Sequence, residues 1–143
     1  MKISTKGRYA LRLMLDLAQQ DREEYISLRA ISQRQDISVK YLEQIVSQLC
    51  RTGLLQSVRG PQGGYKLAKN PEEYSVGDIL RITEGNLAPV ACLEEKSSPC
   101  PRQRECLTQG FWQGLYQTVN QYIDSYTLTD LLREEQEKGR IDK

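Results

Sequence analysis

Apolar residues recur at Leu11, Met14, Leu15 and Ala18, spaced three, four and seven apart, and Leu13 and Leu17 widen the stripe. This period predicts an amphipathic helix over Thr5–Gln20 with a broad buried face. A polar connection, Asp21–Tyr25, follows. Ser27 is placed to cap a short second helix, Leu28–Gln35, with Leu28 and Ile31 facing inward. After the turn Asp36-Ile37-Ser38, Ser38 is a good N-cap for a third helix that buries Leu42, Ile45, Val46 and Leu49. Its outer face carries Lys40, Tyr41, Glu43, Gln44, Ser47 and Gln48. Two short helices joined by a tight turn, the second with a hydrogen-bonding outer face, fit a helix-turn-helix; a plain helical hairpin has the same periodicity.

The next segment separates the two readings. Gly53 ends the helix. Leu54–Val58 reads as a strand and Tyr65–Ala68 as its return, joined by Arg59-Gly60-Pro61-Gln62-Gly63-Gly64. That is a hairpin with a flexible tip and a cation at its base. The tip lacks the Gly-Lys-Ser/Thr ending of a nucleotide-binding loop, and no helix follows it. A helix-turn-helix followed directly by a basic hairpin is a winged helix. The predicted class is therefore mostly α with a small β-wing. In such a fold Gln44 can pair with an adenine edge, Lys40 can reach a guanine or a phosphate, and Arg59 suits a narrow minor groove. Ser38, Tyr41, Glu43, Gly60 and Gly64 complete the candidate DNA-binding set.

Ser75 and Asp78 form a capping-box pair ahead of a fourth helix to about Thr83. The stretch from Glu84 to about Arg104 is polar and contains Pro89, Pro99 and Pro101; a structureless run of that length is functional or disordered. A long helix to about Tyr126 follows. Its residues Trp112, Leu115, Val119, Tyr122 and Tyr126 are spaced 3, 4, 3, 4, an a/d seam suited either to a second copy of the chain or to the chain's own first helix. Thr127 and Asp130 cap a last helix around Leu128, Leu131 and Leu132, and the charged stretch after it is expected to be frayed and solvated.

Composition sharpens this outline. The 143 residues, 38% apolar, support one small domain with an appendage rather than a large enzyme core. Residues 1–70 carry 12 Lys/Arg against 6 Asp/Glu, +6; residues 71–143 carry 8 against 13, −5. A basic half joined to an acidic half points to an anionic partner for the first half, with nucleic acid foremost. No apolar run approaches the ~20 residues of a membrane span. Arg8, Arg12 and Asp16 interrupt the N-terminal apolar stretch, so a signal peptide is not expected and the expected compartment is the cytoplasm.

Cys92, Cys100 and Cys106 crowd into the polar loop of a chain that has no histidine. Clustered thiols hold a metal or an iron–sulfur cluster, or form a redox switch. The spacing C-x7-C-x5-C lacks the close pairs of zinc sites. A structural disulfide is unfavoured in a reducing compartment, while a transient regulatory one is open. A nucleophilic cysteine enzyme would lack a histidine base.

The stretches STKGRYAL, ISVKYLEQIVSQL, GLLQSVRGPQGGYKL, SVGDIL and CLTQGFW resemble the bacterial regulator family that includes IscR, NsrR and CymR, over roughly residues 1–135. The order YLEQ then RGxxGGY is specific, and the cysteines ending in CLT are most similar to the IscR-like members. The resemblance implies a cytoplasmic, homodimeric winged-helix transcription factor, a repressor or activator at a palindromic double-stranded DNA operator. It also implies a [2Fe–2S] cluster on Cys92, Cys100 and Cys106 and control of cluster-assembly genes. CymR-like members lack these cysteines; the corresponding alternative is a cluster-free regulator controlled by thiol redox state or a protein partner. The implied organisation is a winged helix-turn-helix domain over 1–83, a cluster-binding loop over 84–106, a dimerisation helix and C-terminal helix over 104–137, and a flexible tail over 138–143.

This chain departs from that pattern at the fourth ligand. IscR-like proteins place a histidine three residues after the last cysteine, where this chain has Gln109. NsrR-like members take an acid from the partner's first helix, where this chain has Arg8. The remaining candidates are Glu94, Glu95, Glu105, Cys50 and Glu43. An acid at the position of Glu43 discriminates between classes of DNA site in IscR-like proteins. The expectation adopted is that Glu43 of one subunit ligates the cluster of the other, which would tie up a charge that otherwise repels DNA.

Overall fold

The computed structural model describes residues 2–94, 101, 102 and 104–141. Six helices and one hairpin follow in order: α1 Thr5–Ala18, α2 Leu28–Gln35, α3 Val39–Arg51, β1 Leu55–Val58, β2 Gly64–Leu67, α4 Val76–Glu84, α5 Gln109–Ser125 and α6 Leu128–Ile141. The winged helix-turn-helix expected from the pattern is present. Hydroxyl caps set the helix starts by satisfying otherwise orphaned first-turn N–H groups. Ser4 accepts from Gly7 N–H, Ser27 from Ala30, Ser38 from Tyr41, Ser75 from Asp78 and Thr127 from Asp130. Asp78 and Asp130 return the bond to the Ser75 and Thr127 amides, completing two capping boxes. The turn between α2 and α3 is made by Asp36 in the left-handed region (φ 54°), and Gly53 (φ 83°) closes α3.

The main core is built from α1, α2, α3 and the base of the wing. Ala10, Leu13, Met14 and Leu17 form the centre of the buried α1 face, packed with Ile31, Leu42, Ile45, Leu49, Leu55 and Leu67. Leu11, Leu15 and Ala18, the stripe picked out by periodicity, lie at its half-buried edge. The reason is that α1 is covered from two directions: α4 packs along it, and Leu11 also meets a second cluster of Val76, Leu80 and Leu87. Tyr74 is completely buried, with its hydroxyl donating to Leu54 O at 2.6 Å and accepting from Lys69 N–H at 2.9 Å. Burying a phenol without those partners would cost several kcal/mol (about 2–7).

β1 and β2 pair antiparallel, Leu55 opposite Leu67 and Val58 opposite Gly64. Tyr65 then exchanges both backbone bonds with Ile26, at 2.8 Å each, so the segment entering α2 lies along the wing as a third edge. A second backbone bridge, Ser75 with Thr127, returns the C-terminal segment to the first half of the chain. It seats Leu128, fully buried, in the main core. The bridge and Leu128 thus join segments on either side of residue 83. α6 continues to Ile141, so the exposed charged stretch Glu134–Lys138 belongs to that helix.

Two arginine–carboxylate pairs join helices. Asp16, 2% exposed, receives Arg34 Nε at 3.0 Å, Arg34 Nη2 at 2.8 Å and Gln35 Nε2 at 3.0 Å, tying α1 to the end of α2. Arg81 meets Asp124 through both Nη atoms at 2.8 Å and Asn120 at 3.0 Å, tying α4 to α5. Gly77 is what admits this second clamp: a Cβ there would stand 2.1 Å from Asp124 Oδ1. The first pair is buried on its acidic side and the second is open to solvent on both. Arg34→Ala is therefore expected to cost about 3 kcal/mol, because it strands a buried carboxylate, and Arg81→Ala about 1 kcal/mol or less. Urea unfolding midpoints at constant m-value check the contrast; equal losses would refute it.

Candidate nucleic-acid interface and cysteine loop

The helix-turn-helix presents the N-terminal turns of α3 to solvent. Lys40, Glu43 and Gln44 are exposed, as is Ser38, whose hydroxyl is committed to the Tyr41 amide as the helix cap. Tyr41 is half-buried, a departure from the exposed position expected of it: its ring stands edge-on against Tyr9 of α1, with centroids 5.6 Å apart. Gln48, also expected outside, is half-buried. The wing carries Arg59 and Gly60 into solvent, and Gly60 (φ 117°) adopts a backbone that only glycine takes without strain.

Gly64, expected among the DNA contacts, is buried, and a Cβ would meet Ile26 O at 2.3 Å and Ile26 C at 2.5 Å. It lets the segment entering α2 lie against β2 and so shapes the wing.

Between α3 and the wing runs a shallow groove of about 460 Å³ whose lining includes Glu43, Cys50, Ser57, Arg59 and Tyr65. Cys50 is half-buried; burial pushes its thiol pKa up, and a hydrogen bond with Ser57 opposes that. Burial also raises the Tyr65 phenol, reinforced by the nearby Cys50 and Glu43. Cys50 thus sits as a neutral thiol joining the recognition helix to β1, and Glu43 stands at the mouth of the groove.

The cysteine loop leaves α4 at Gly85 (φ 75°) and returns at α5. Cys92 is exposed on a single 3-10 turn, Ala91–Leu93. Cys106 is exposed two residues before the α5 cap, 3.5 Å from Thr108 Oγ1. Thr108 makes no side-chain cap of its own. The Cys106 sulfur takes that place: bonds from the Thr108 hydroxyl and then from the Thr108 and Gln109 backbones pull its pKa below the ordinary thiol value. A thiol whose pKa is lowered in this way suits a soft metal or an electrophile. Cys100 and Glu95 lie outside the described residues. Among the described residues, no three Cys, Asp, Glu or His side chains are grouped to hold a metal ion. Gln109, at the position of the family's histidine, opens α5, and Arg8, Glu94 and Glu105 are exposed.

Two elements of the site escape periodicity. Ser4 donates from both N–H (3.1 Å) and Oγ (2.7 Å) to Glu84 Oε1, tying the cap of α1 to the last residue of α4, immediately before the cysteine loop. Gly7 makes room for that carboxylate, since a Cβ would be 2.2 Å from it. The other is the exposed face of α5. Phe111 (67% exposed) and Tyr122 (63%) face solvent, and no residue of α5 is buried. Tyr116, Ile123 and Tyr126 pack on the α4 cluster, so Tyr126 turns to its own chain while Trp112, Leu115 and Val119 stay half-buried.

Residues 3–134 match the family model Rrf2, described as an iron-dependent transcriptional regulator. The chain is similar to the regulator CymR of Bacillus subtilis, 44% identical over 131 residues, covering 92% of this chain and 89% of that protein. It is also similar to the regulator IscR of Pectobacterium atrosepticum, 39% identical over 132 residues, covering 92% and 79%. The solved structure of T. potens IscR superposes with a TM-score of 0.73 at 38% identity, covering 96% of this chain and 90% of that one.

In the reduced, metal-free chain, Cys106 is expected to alkylate with iodoacetamide at pH values below those a simple thiol needs. Its thiolate persists as pH falls until the lowered pKa is crossed. Thr108→Val should move that profile up. Residue-resolved mass spectrometry reads both, and a Cys106 profile matching a model thiol would refute the assignment.

Proposed function

This chain belongs to the Rrf2 family of DNA-binding transcription regulators, and from that premise we infer that it senses iron–sulfur status and passes it to DNA. It acts as a cytoplasmic homodimer on a palindromic operator. α3 enters the major groove with Lys40 and Gln44 toward the bases, and Arg59 follows the backbone into the flanking minor groove. The open Trp112–Tyr122 face of α5 is the expected seam between protomers, which would give the operator its two-fold symmetry.

The observation that carries the sensing arm is Cys106: an exposed sulfur at a helix start, whose pKa is drawn below the ordinary thiol value by hydrogen bonds, in the same loop as exposed Cys92. That donor chemistry fits a [2Fe–2S] cluster. Cys92, Cys100 and Cys106 would hold it, with Glu43 of the second subunit as the proposed fourth ligand. When bound, such a cluster supplies an oxidisable, easily lost centre that thiols alone do not provide. The chain's own contribution is positional. Thr108 and Gln109 orient Cys106, Gly85 launches the loop, and Glu84 connects its root to α1. Control of cluster-assembly genes is the regulatory role that suits this sensor.

A second reading has its own support: the similarity to CymR is as extensive as that to IscR. In that reading the cysteines act as redox thiols, or a protein partner sets DNA binding, with no metal.

Anaerobic reconstitution with iron and sulfide, followed by absorption spectroscopy and metal analysis, separates the two. The expected result is a brown protein with about two irons per chain, whose chromophore is lost in Cys106→Ala and destabilised in Glu43→Ala. A colourless wild type would establish the thiol reading. Glu43→Ala with an unchanged cluster lifetime would remove Glu43 from the ligand set.

A further inference from the structure

We propose that Arg12 of α1, positioned by Tyr9, is a second phosphate-gripping element of the DNA interface beside the recognition helix. The geometry is a relay across three helices. The Arg12 guanidinium lies 5.2 Å from the centroid of the Tyr9 ring, and Tyr9 stands edge-on against Tyr41 in the first turn of α3. On its other side Arg12 Nε donates to Gln35 Oε1 at 3.2 Å, and Nη2 donates to Gln35 O, at the turn between α2 and α3. The cation is thus held at the corner of the helix-turn-helix. It is one aromatic ring away from the end of the recognition helix that meets base edges in this motif. The phosphates flanking the groove pass that corner.

Charge supports the placement. Arg34 and Arg81 are each neutralised by a carboxylate within 2.8 Å. Among the described residues Arg12 has no acidic partner; its contacts are a ring, an amide oxygen and a carbonyl. Neutral acceptors fix the direction of a guanidinium without cancelling its charge, which is what a pre-oriented phosphate contact requires. Arg12 is exposed, so the charge is available.

The test uses the full-length chain and a random-sequence DNA duplex, titrated over a salt series. Each phosphate contact contributes about 0.9 to the slope of log K against log salt. Arg12→Gln, which keeps a neutral donor toward Gln35, is expected to lower the slope by about 0.9 and to weaken binding by the same factor on any sequence. Arg12→Lys should keep the slope close to wild type. Tyr9→Ala, which frees the guanidinium, should weaken binding with a smaller loss of slope, and Tyr9→Phe should match wild type because only the ring is used. Thermal melting accompanies each variant, and a fold defect cannot mimic the result, because it would lower the active fraction without changing the slope. An unchanged slope in Arg12→Gln overturns the proposal. So does a changed monomer–dimer equilibrium with unchanged DNA binding, which would assign Arg12 to a protein interface.

Discussion

The carboxylate of Asp16 is the point on which the DNA-binding half turns. It is buried in the apolar face of α1, where an isolated charge costs several kcal/mol. Its three donors, two from Arg34 and one from Gln35, all come from the last turn of α2. That carboxylate is satisfied only when α2 crosses α1 at one place and in one rotation. Hydrophobic contacts between Leu13, Met14 and Ile31 favour packing in general; the ion pair selects the register. Because the α2–α3 turn begins at Asp36, the residue after Gln35, the same lock sets where the recognition helix starts.

The other end of α1 is held in a similar way. Glu84 accepts two bonds from Ser4 and sits against Gly7, so the first turn of α1 is tied to the end of α4. α1 thus links two segments: the helix-turn-helix through Asp16, and the root of the cysteine loop through Glu84. Arg81 and Asp124 add a third connection, from α4 to α5, which Gly77 makes possible. The loop bearing Cys92 and Cys106 runs between α4, which packs on α1 and α3, and α5, which packs on α4.

Local signals along the chain were informative wherever one element decides its own shape. Ser27, Ser38, Ser75 with Asp78, and Thr127 with Asp130 all cap the helices they preceded. Leu42, Ile45, Val46 and Leu49 are buried as their spacing implied. The wing and its basic tip were legible from Gly, Pro and alternating residues. Misreadings arose where two distant elements meet. Tyr41 looks like an outer-face residue on α3 alone, but Tyr9 covers it. Gly64 looks like part of a flexible tip, but Ile26 lies against it. Asp16 looks like an interruption in an apolar run, and its partner is 18 residues away.

The sequence by itself determined the element order, the helix caps, the winged helix-turn-helix class and the cluster of thiols in one loop. Those follow from periodicity, hydroxyl caps and composition, which act over a few residues. Tertiary structure alone decided that α1 is the hub, that the start of α5 lowers the Cys106 pKa, and that Arg12 stands at the corner of the motif with no counter-charge among the described residues. Each of those depends on a hydrogen bond or a close approach that exists only once the helices are packed, at a geometry set by side chains far apart in the chain.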